Sequence, residues 1–246
     1  MGDKVMTIEQ GALLTTGKAK AVYATDDPNV LWLHSLDQAT ALNGKQKAEI
    51  SDKGRLTTQI SQQLFRFLKA QGIVTHFQQA VGERDVLVTA LDMLPIEVVI
   101  RNYAAGHFAT RYAVQMLTPL SPTVQEYYFK NDALDDPPLN QSQIFALDLA
   151  TPSQLTQIEA VAQTVNRQLR QLFEAVGITL IDFKLEFGLD ATGALTLGDE
   201  LSPDNMRLID QATGQSLDKD VFRQGTGDLR DGYTTVLHRL TTYLGE

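Results

Sequence analysis

The chain has 246 residues, 43% of them hydrophobic, and a formal net charge of −9 at pH 7. It contains no apolar run of about 18 residues, which excludes a membrane-spanning helix, and its acidic balance argues against nucleic acid as a partner, since nucleic-acid binders usually present a broad basic face. Disulfides and thiolate chemistry are excluded because there is no cysteine, and the four histidines, no two of them at metal-ligand spacing, argue against a zinc site.

An antiparallel sheet is predicted for the first third of the chain. Two strand-like stretches are separated by the turn-rich segment Asp26-Asp27-Pro28-Asn29. An amphipathic pattern that includes Ile60, Leu64 and Leu68 precedes Gly72, which stands where a C-terminal glycine belongs. The predicted elements are strands over 20–25, 30–36, 85–90 and 96–101 and a helix over 56–71.

Helices are more frequent in the rest of the chain. Thr151 followed by Pro152 is typical of a helix N-terminus, and the prolines within 118–147 indicate a loop. The predicted helices cover 108–114, 151–176, 220–224 and 228–244. Strands first and a mixture afterwards predict an α+β fold in two lobes, an N-terminal antiparallel-sheet lobe over 1–92 and a larger C-terminal α/β lobe over 93–246.

Charged and apolar residues alternate strictly in Asp182-Phe183-Lys184-Leu185-Glu186-Phe187-Gly188, which predicts a strand with its apolar residues in the core and its charged residues on the opposite face. With a two-residue hairpin loop at Thr192-Gly193, Glu186 would face Asp199 on the returning strand. Carboxylates about 5 Å apart repel by about 3 kcal/mol at an effective dielectric of about 20, unless a cation lies between them. Mg²⁺ prefers oxygen ligands from carboxylates, water and phosphate, so the hairpin predicts a metal–phosphate site.

Two further segments have the composition of phosphate sites. In Gly17-Lys18-Ala19-Lys20, the glycine lets the backbone approach an anion and the lysines share one face of a strand; the alternative is a strand edge protected by lysines. In Arg101-Asn102-Tyr103-Ala104-Ala105-Gly106, an arginine at a strand end lies beside a glycine and a helix N-terminus, which suits a phosphate monoester. The alternative there is a surface arginine at a tight turn.

Two polar segments follow. The loop over 130–140 is either a mobile segment over a site or a solvated insertion. Within 202–207, Asp204 and Arg207 would reach back to the same face as Asp182 and Lys184. So many charges on one side of a hairpin with an apolar opposite side indicate a catalytic face.

In this order the motifs resemble the phosphoribosylaminoimidazole-succinocarboxamide synthase (SAICAR synthetase) family of purine biosynthesis, from Gly17 to Leu240. The most specific match is the 182–188 strand with Ser202-Pro203-Asp204 at a fixed distance. The other matching segments are 17–20, 22–23, 37–45, 91–93, 101–102, 105–106, 130–132, 135–137 and 199–200.

The resemblance implies an ATP-dependent ligase that joins L-aspartate to carboxyaminoimidazole ribonucleotide and gives the succinocarboxamide, ADP and phosphate. A carboxylate resists attack by an amine because its leaving group would be oxide, so it must first be phosphorylated to an acyl phosphate. That transfer needs a metal ion and cations around the phosphate more than it needs a covalent protein group. The resemblance also implies ATP and Mg²⁺ as cofactors. Their ATP-grasp or kinase-like site would lie between a nucleotide-covering N-terminal lobe and a catalytic C-terminal lobe.

The matching positions imply a role for individual residues. Lys184 would lie beside the transferred phosphoryl group, and Asp182 and Asp204 would bind the imidazole nucleotide or orient Lys184. Glu186 and Asp199 would hold Mg²⁺. The implied ATP-binding residues are Lys18, Ala19, Lys20, Val22, Met93 and Lys130, and the implied substrate-binding residues are Arg101, His107, Arg207, Asp37 and Thr40.

His107 departs from the family, which commonly has a serine after the Ala-Gly pair. If the imidazole contacts the substrate phosphate, substrate affinity should weaken as the pH rises through about 7. The alternative is that His107 only fills space beside the arginines. Smaller residues than Asn205 and Met206 are common in the family at these two positions. Whether Arg207 can reach the substrate phosphate past them therefore stays open.

Two other functions remain open, a phosphotransferase and a nucleotide-sensing module without turnover. Against the first, the chain has no His-Arg-Asp loop and Asp182-Phe183 is followed by lysine instead of glycine; against the second, every catalytic-type position carries a competent residue. The expected partners are the small-molecule substrates, with no nucleic acid and no membrane, and the oligomeric state stays open, a homo-oligomer included. Because the first residues lack the apolar core of a signal peptide, we expect a cytoplasmic protein.

Overall fold

The computed structural model describes residues 8–41 and 46–245 and has the expected α+β fold. The strands are β1 (Gln10–Thr16), β2 (Lys20–Thr25), β3 (Val30–Ser35), β4 (Gln38–Ala41), β5 (Gln46–Glu49), β6 (Phe77–Ala80), β7 (Asp85–Thr89), β8 (Asp92–Tyr103), β9 (Pro119–Phe129), β10 (Pro138–Leu139), β11 (Ile178–Leu189), β12 (Leu195–Gly198) and β13 (Met206–Asp210). The helices are α1 (Lys53–Ala70), α2 (Gly106–Tyr112), α3 (Gln141–Ala146), α4 (Pro152–Ala175), α5 (Asp220–Gln224) and α6 (Leu229–Leu244), with a 3-10 turn at Asp132–Leu134. Within the described ranges, no helix has the length and apolar character needed to cross a membrane.

A six-stranded antiparallel sheet carries the candidate site. Its strands lie in the order β10-β9-β8-β11-β12, and β13 also pairs with β11. The apolar residues of β11 that were predicted to face the core, Phe183, Leu185 and Phe187, are buried, and α4 packs against β11 and β8. Because side chains alternate along a strand, the charged residues of β11 lie on the face of the sheet that α4 does not cover.

A second, five-stranded antiparallel sheet has the order β1-β2-β3-β7-β6 and is built from residues before 90. Helix α1 packs on β3 and β6 and also against α6, which is the last helix of the chain. The predicted boundary after residue 92 falls at the start of β8, between the strands of the two sheets. The division into two lobes stays a prediction, as does the role of each lobe.

Most predicted bounds match the observed elements, and α1 shows why one does not. The helix begins at Lys53 instead of at 56. Its first N–H groups find an acceptor far away in the sequence, because the Asp37 carboxylate accepts hydrogen bonds from Gly54 N at 2.8 Å and Asp52 N at 3.2 Å. Residues 42–45, the end of the segment that matched the family, lie outside the described ranges.

The predicted loop over 118–147 was wrong, because β9, β10 and α3 lie within it. Pro119 is the first residue of β9, where a missing N–H breaks no ladder. Pro122 lies where the pairing of β9 with β8 is irregular, and β10 covers only the far end of β9, at Tyr127 and Tyr128. Pro119 therefore marks the end of a strand, and Pro122 lies in a part of β9 that β10 does not cover. The predicted strand over 96–101 was also too short, since β8 extends from Asp92 to Tyr103.

The predicted hairpin register was wrong by one residue. Glu186 pairs with Gly198, and Asp199 follows immediately after β12. The loop has three residues, 191–193, because Asp190 N donates to Ala194 O at 3.1 Å and Gly193 N donates to Asp190 O at 2.8 Å. Gly193 takes the left-handed conformation (φ +81°) that such a bulged hairpin loop needs.

Candidate active site

The charged face of the six-stranded sheet is assembled by strand pairing. Along β11, Asp182 pairs with Arg101 of β8 and Glu186 pairs with Glu97 of β8. Lys184 lies between these two pairs on the same face. The two carboxylates that face each other across strands are therefore Glu97 and Glu186, and not Glu186 and Asp199 as the sequence predicted.

Lys184 lies at the centre of the carboxylates. Its Nζ donates to Glu97 Oε1 at 2.8 Å and to Glu186, and it lies 3.8 Å from Asp199 Oδ2. Lys130, just after β9, also donates to Glu186. An ammonium group thus occupies the position between carboxylates in which the sequence argument required a cation.

Lys20 comes to the same carboxylates from the five-stranded sheet. Its Nζ donates to Asp199 Oδ1 at 2.5 Å and lies 3.9 Å from Glu200 Oε1. On β2, Val22 shares the face of Lys20 because the two residues are separated by one position. The Gly17–Lys20 turn also meets the 130–132 segment, since Lys18 Nζ contacts Asp132 Oδ1 at 2.6 Å, while Ala19 O accepts a hydrogen bond from Leu36 N at 2.8 Å.

The protonation states of this cluster follow from its mixed charges. Burial alone would lower the pKa of Lys184, but Glu186, Asp199 and Glu97 outweigh it and raise the pKa well above its usual value. The same balance, with Asp199 as the main charge, raises the pKa of Lys20. Burial would raise the pKa of Asp199, but Lys20 and Lys184 hold it below the ordinary value. At neutral pH both lysines are cations and Asp199 is an anion.

Met93 lies at the edge of this cluster against two glycines. A Cβ on Gly188 would lie 3.0 Å from Met93 Sδ and 2.8 Å from Leu91 Cβ. A Cβ on Gly198 would lie 3.4 Å from the same sulfur and 3.1 Å from Leu91 Cδ1. Because Gly188 and Gly198 have no side chains, the 91–93 segment can approach the sheet closely, with Met93 still partly exposed.

Further along the same face, Arg101 and Arg207 share Asp182. Arg101 NH1 donates to Asp182 Oδ2 at 2.6 Å, and Arg207 NH1 donates to the same oxygen at 2.8 Å. A Cβ on Gly106, which has φ +52°, would lie 2.9 Å from Arg207 NH2, so only glycine allows this approach of chain and guanidinium. His107 follows as an exposed residue of α2.

Three predicted site residues lie in other surroundings. Asp204 is buried, where its carboxylate accepts hydrogen bonds from Lys53 and from Tyr233 OH, the latter at 2.6 Å, and not from Lys184. The Asp37 carboxylate accepts hydrogen bonds from the start of α1 and pairs with Arg84 at 2.8 Å. Thr40 is buried on β4, opposite Lys47 of β5.

The sequence reasoning missed several charged residues of this region. Glu97 could have been found, because it is the one carboxylate in the predicted apolar strand over 96–101 and lies four residues before Arg101, on the same face. Lys53, whose side chain is only 1% exposed, had no local signal, since its partner Asp204 is remote in the sequence. Glu126, which accepts a hydrogen bond from Arg101 Nε at 2.6 Å, lay in the segment read as a loop.

Comparison with known proteins identifies the family of the chain. The family model of SAICAR synthetase matches residues 13–240. The chain is 54% identical to the phosphoribosylaminoimidazole-succinocarboxamide synthase of Oenococcus oeni, over 95% of this chain and 97% of that protein. The synthase of Bacillus subtilis is 45% identical over 96% and 98%.

Solved structures give the same result. The crystal structure of the synthase from Ehrlichia chaffeensis superposes with a TM-score of 0.91 at 41% identity, covering 94% of this chain and 98% of that one. A SAICAR synthetase in complex with ADP superposes with a TM-score of 0.90 at 40% identity, covering 93% and 97%. The chain belongs to the SAICAR synthetase family, the enzymes named phosphoribosylaminoimidazole-succinocarboxamide synthase.

Proposed function

We propose that the charged face of the six-stranded sheet joins L-aspartate to carboxyaminoimidazole ribonucleotide with cleavage of ATP, the reaction of this family. The observation that carries the proposal is the position of Lys184 between Glu97, Glu186 and Asp199, with Arg101 and Arg207 on the same face. A lysine held among carboxylates suits the transfer of a phosphoryl group from ATP, and the two arginines nearby suit the phosphate of the imidazole nucleotide.

ATP would bind between Lys20 and the 91–93 segment. Lys20 and Lys130 each contact a carboxylate of the Lys184 cluster, so both can reach a phosphate chain that enters there. Lys18 and Ala19 would cover the phosphates with the turn, and Val22 and the partly exposed Met93 would contact the base. The ADP complex of a relative that is 40% identical supports a nucleotide at this chain's site.

Mg²⁺ would be held by Glu186 and Asp199. Both carboxylates lie within 4 Å of Lys184 Nζ, so one cation can contact both. Among the described residues, no three His, Asp or Glu side chains are arranged to hold a metal ion by themselves. Phosphate oxygens and water would complete the shell, as Mg²⁺ favours, and the bound ion would neutralise charge on those oxygens.

The chemistry has two steps. An oxygen of the substrate carboxylate attacks the γ-phosphorus of ATP and ADP leaves, with Lys184 beside the transferred group. The aspartate amine then attacks the acyl carbon and phosphate leaves with that carboxylate oxygen. Arg101 and Arg207 would bind the phosphate of the imidazole nucleotide. The other residues proposed for the substrate side of the site are Asp182, Asp204, His107, Asp37 and Thr40. A cytoplasmic location stays part of the proposal.

Omitting one substrate at a time tests this function. We expect ADP and the succinocarboxamide in equal amounts only when Mg-ATP, carboxyaminoimidazole ribonucleotide and L-aspartate are all present. ADP release without aspartate would favour a phosphotransferase instead. Tight ATP binding with no ADP release under any condition would favour a sensor.

A further inference from the structure

The two arginines of the charged face are held in the same way. Arg101 donates through Nε to Glu126 at 2.6 Å and through NH1 to Asp182 at 2.6 Å. Arg207 donates through Nε to Asp220 at 2.7 Å and through NH1 to Asp182 at 2.8 Å. Each guanidinium therefore contacts Asp182, which both share, and a second carboxylate that the other arginine does not contact. Two bonds at different nitrogens fix the plane of a guanidinium, and with it the direction of its remaining donors.

Glu126 is itself fixed from a neighbouring position. The Tyr128 hydroxyl donates to Glu126 Oε2 at 3.1 Å, and the same oxygen accepts from Arg101 Nε. Both residues belong to β9, two positions apart and on one face, and β9 pairs with β8, which carries Arg101. The side chain of Arg101 is 6% exposed and that of Glu126 is 15% exposed, so solvent screens this contact only weakly.

Charge alone would make Glu126 unfavourable for binding a phosphate. A carboxylate beside Arg101 weakens the attraction of that arginine for a second anion. Burying one more carboxylate next to a phosphate-binding arginine is useful only if its geometry matters more than its charge. The Tyr128–Glu126–Arg101 chain of hydrogen bonds supplies that geometry, because it leaves the guanidinium a single orientation along the sheet.

We propose that Glu126, held by Tyr128, is a positioning residue that orients Arg101 toward the phosphate of the imidazole nucleotide. It would set the affinity for that substrate without touching it. This inference rests on the proposed function, in which Arg101 binds that phosphate. The phosphate is remote from the reacting carboxylate, so a loss of orientation should raise the KM of the nucleotide and change kcat little.

The test compares Glu126→Ala with Glu126→Gln. For Glu126→Ala we expect the KM of carboxyaminoimidazole ribonucleotide to rise about tenfold, with the KM of ATP and kcat within about threefold of wild type. Glu126→Gln keeps an acceptor for Arg101 Nε, so it should restore the KM to within about twofold of wild type. If Glu126 acted only through its charge, both variants would lower the KM, and that result would overturn the proposal.

A matched control lies on the opposite face of the same strand. Tyr127 OH contacts Glu159 Oε1 at 2.9 Å, which is a second tyrosine–glutamate pair, away from the arginines. Glu159→Ala should leave the KM values of the imidazole nucleotide, ATP and L-aspartate unchanged. An equal rise in the nucleotide KM for Glu159→Ala and Glu126→Ala would indicate a general effect of the sheet and would refute positioning.

Arg101→Ala separates this proposal from the proposed function. If Glu126 acts through Arg101, adding Glu126→Ala to Arg101→Ala should change the nucleotide KM by less than about twofold. If Arg101→Ala raises that KM and Glu126→Ala does not, positioning fails and the function stands. If Arg101→Ala has no effect, the arginine clamp of the proposed function fails first. Should Glu126→Ala not fold, Glu126→Asp keeps the charge, withdraws the carboxylate by one methylene, and must still raise the KM.

Discussion

Lys184 illustrates how one side chain meets two requirements at the residue scale. Without it, Glu97 and Glu186 would face each other across β8 and β11, and Lys130 would be left as the cation that contacts Glu186. With it, the three groups form a compact set in which the Glu186 side chain is 2% exposed. In the proposed function the same ammonium group would lie beside the transferred phosphoryl group, since Asp199, one of the proposed Mg²⁺ ligands, lies within 4 Å of it.

The Lys184→Ala variant should lose most of its turnover and still fold, because Lys130 continues to donate to Glu186. Removal of a preorganised cation from a transferring group costs about 100-fold or more in kcat. Steady-state kinetics with saturating substrates measure the loss, and circular dichroism checks the fold. Lys69→Ala, at the exposed end of α1, is the control and should retain wild-type kcat. A near-wild-type kcat for Lys184→Ala would place phosphoryl transfer elsewhere.

Asp199→Asn should raise the Mg²⁺ concentration that gives half-maximal rate by about tenfold, because one anionic ligand becomes a neutral one. Titration of the rate with Mg²⁺ at fixed ATP measures this shift. Asp148→Asn, which changes an exposed carboxylate shortly after α3, is the control and should leave the titration unchanged. An unaltered Mg²⁺ dependence for Asp199→Asn would remove this residue from the metal site.

At the scale of elements, a glycine in β11 and a glycine in β12 shape the proposed nucleotide side of the site. Gly188 and Gly198 have no side chains, and the side chains of Leu91 and Met93 occupy the space beside them. The contact is close enough that even one methyl group cannot enter. A Cβ on Gly188 would lie 2.9 Å from Asp92 O, which is backbone and cannot rotate away.

Gly188→Ala should therefore displace the 91–93 segment and weaken ATP binding. A loss of about 1 kcal/mol corresponds to a roughly fivefold higher KM for ATP. The KM for carboxyaminoimidazole ribonucleotide should stay unchanged. Gly227→Ala, where a Cβ would make an ordinary 3.4 Å contact with Val221 Cγ1, is the matched control. Equal effects on both substrates would show that Gly188 supports the fold in general and not the nucleotide pocket.

These elements also show what the sequence could predict. The two faces of β11 were correct because alternation is a local property of the chain. The hairpin register was not, because the loop is fixed by the Asp190 side chain, which accepts hydrogen bonds from Thr192 N at 2.8 Å and Ala194 N at 3.0 Å. The Lys53–Asp204 pair joins residues 151 positions apart, and no local pattern reports such a contact.

On the scale of the whole molecule, an acidic chain gathers cations on one sheet face, which is where the proposed function places the substrate phosphates. The net charge is −9, yet Lys20, Lys184, Arg101 and Arg207 all reach the same face or its edge. Each of these cations is paired with carboxylates, so none of them presents an unbalanced positive charge before the substrates bind. We expect the substrate phosphates to replace some of these carboxylate contacts, with Lys20 exchanging Asp199 for ATP.

Isotope transfer tests the central claim, that ATP activates the substrate carboxylate as an acyl phosphate. Carboxyaminoimidazole ribonucleotide is prepared with a heavy oxygen isotope at both oxygens of its carboxylate and turned over with Mg-ATP and L-aspartate. We predict that each inorganic phosphate released carries one heavy oxygen, because the carboxylate oxygen attacks the γ-phosphorus and leaves with it. Phosphate without the heavy isotope, formed together with the succinocarboxamide, would contradict the acyl-phosphate route.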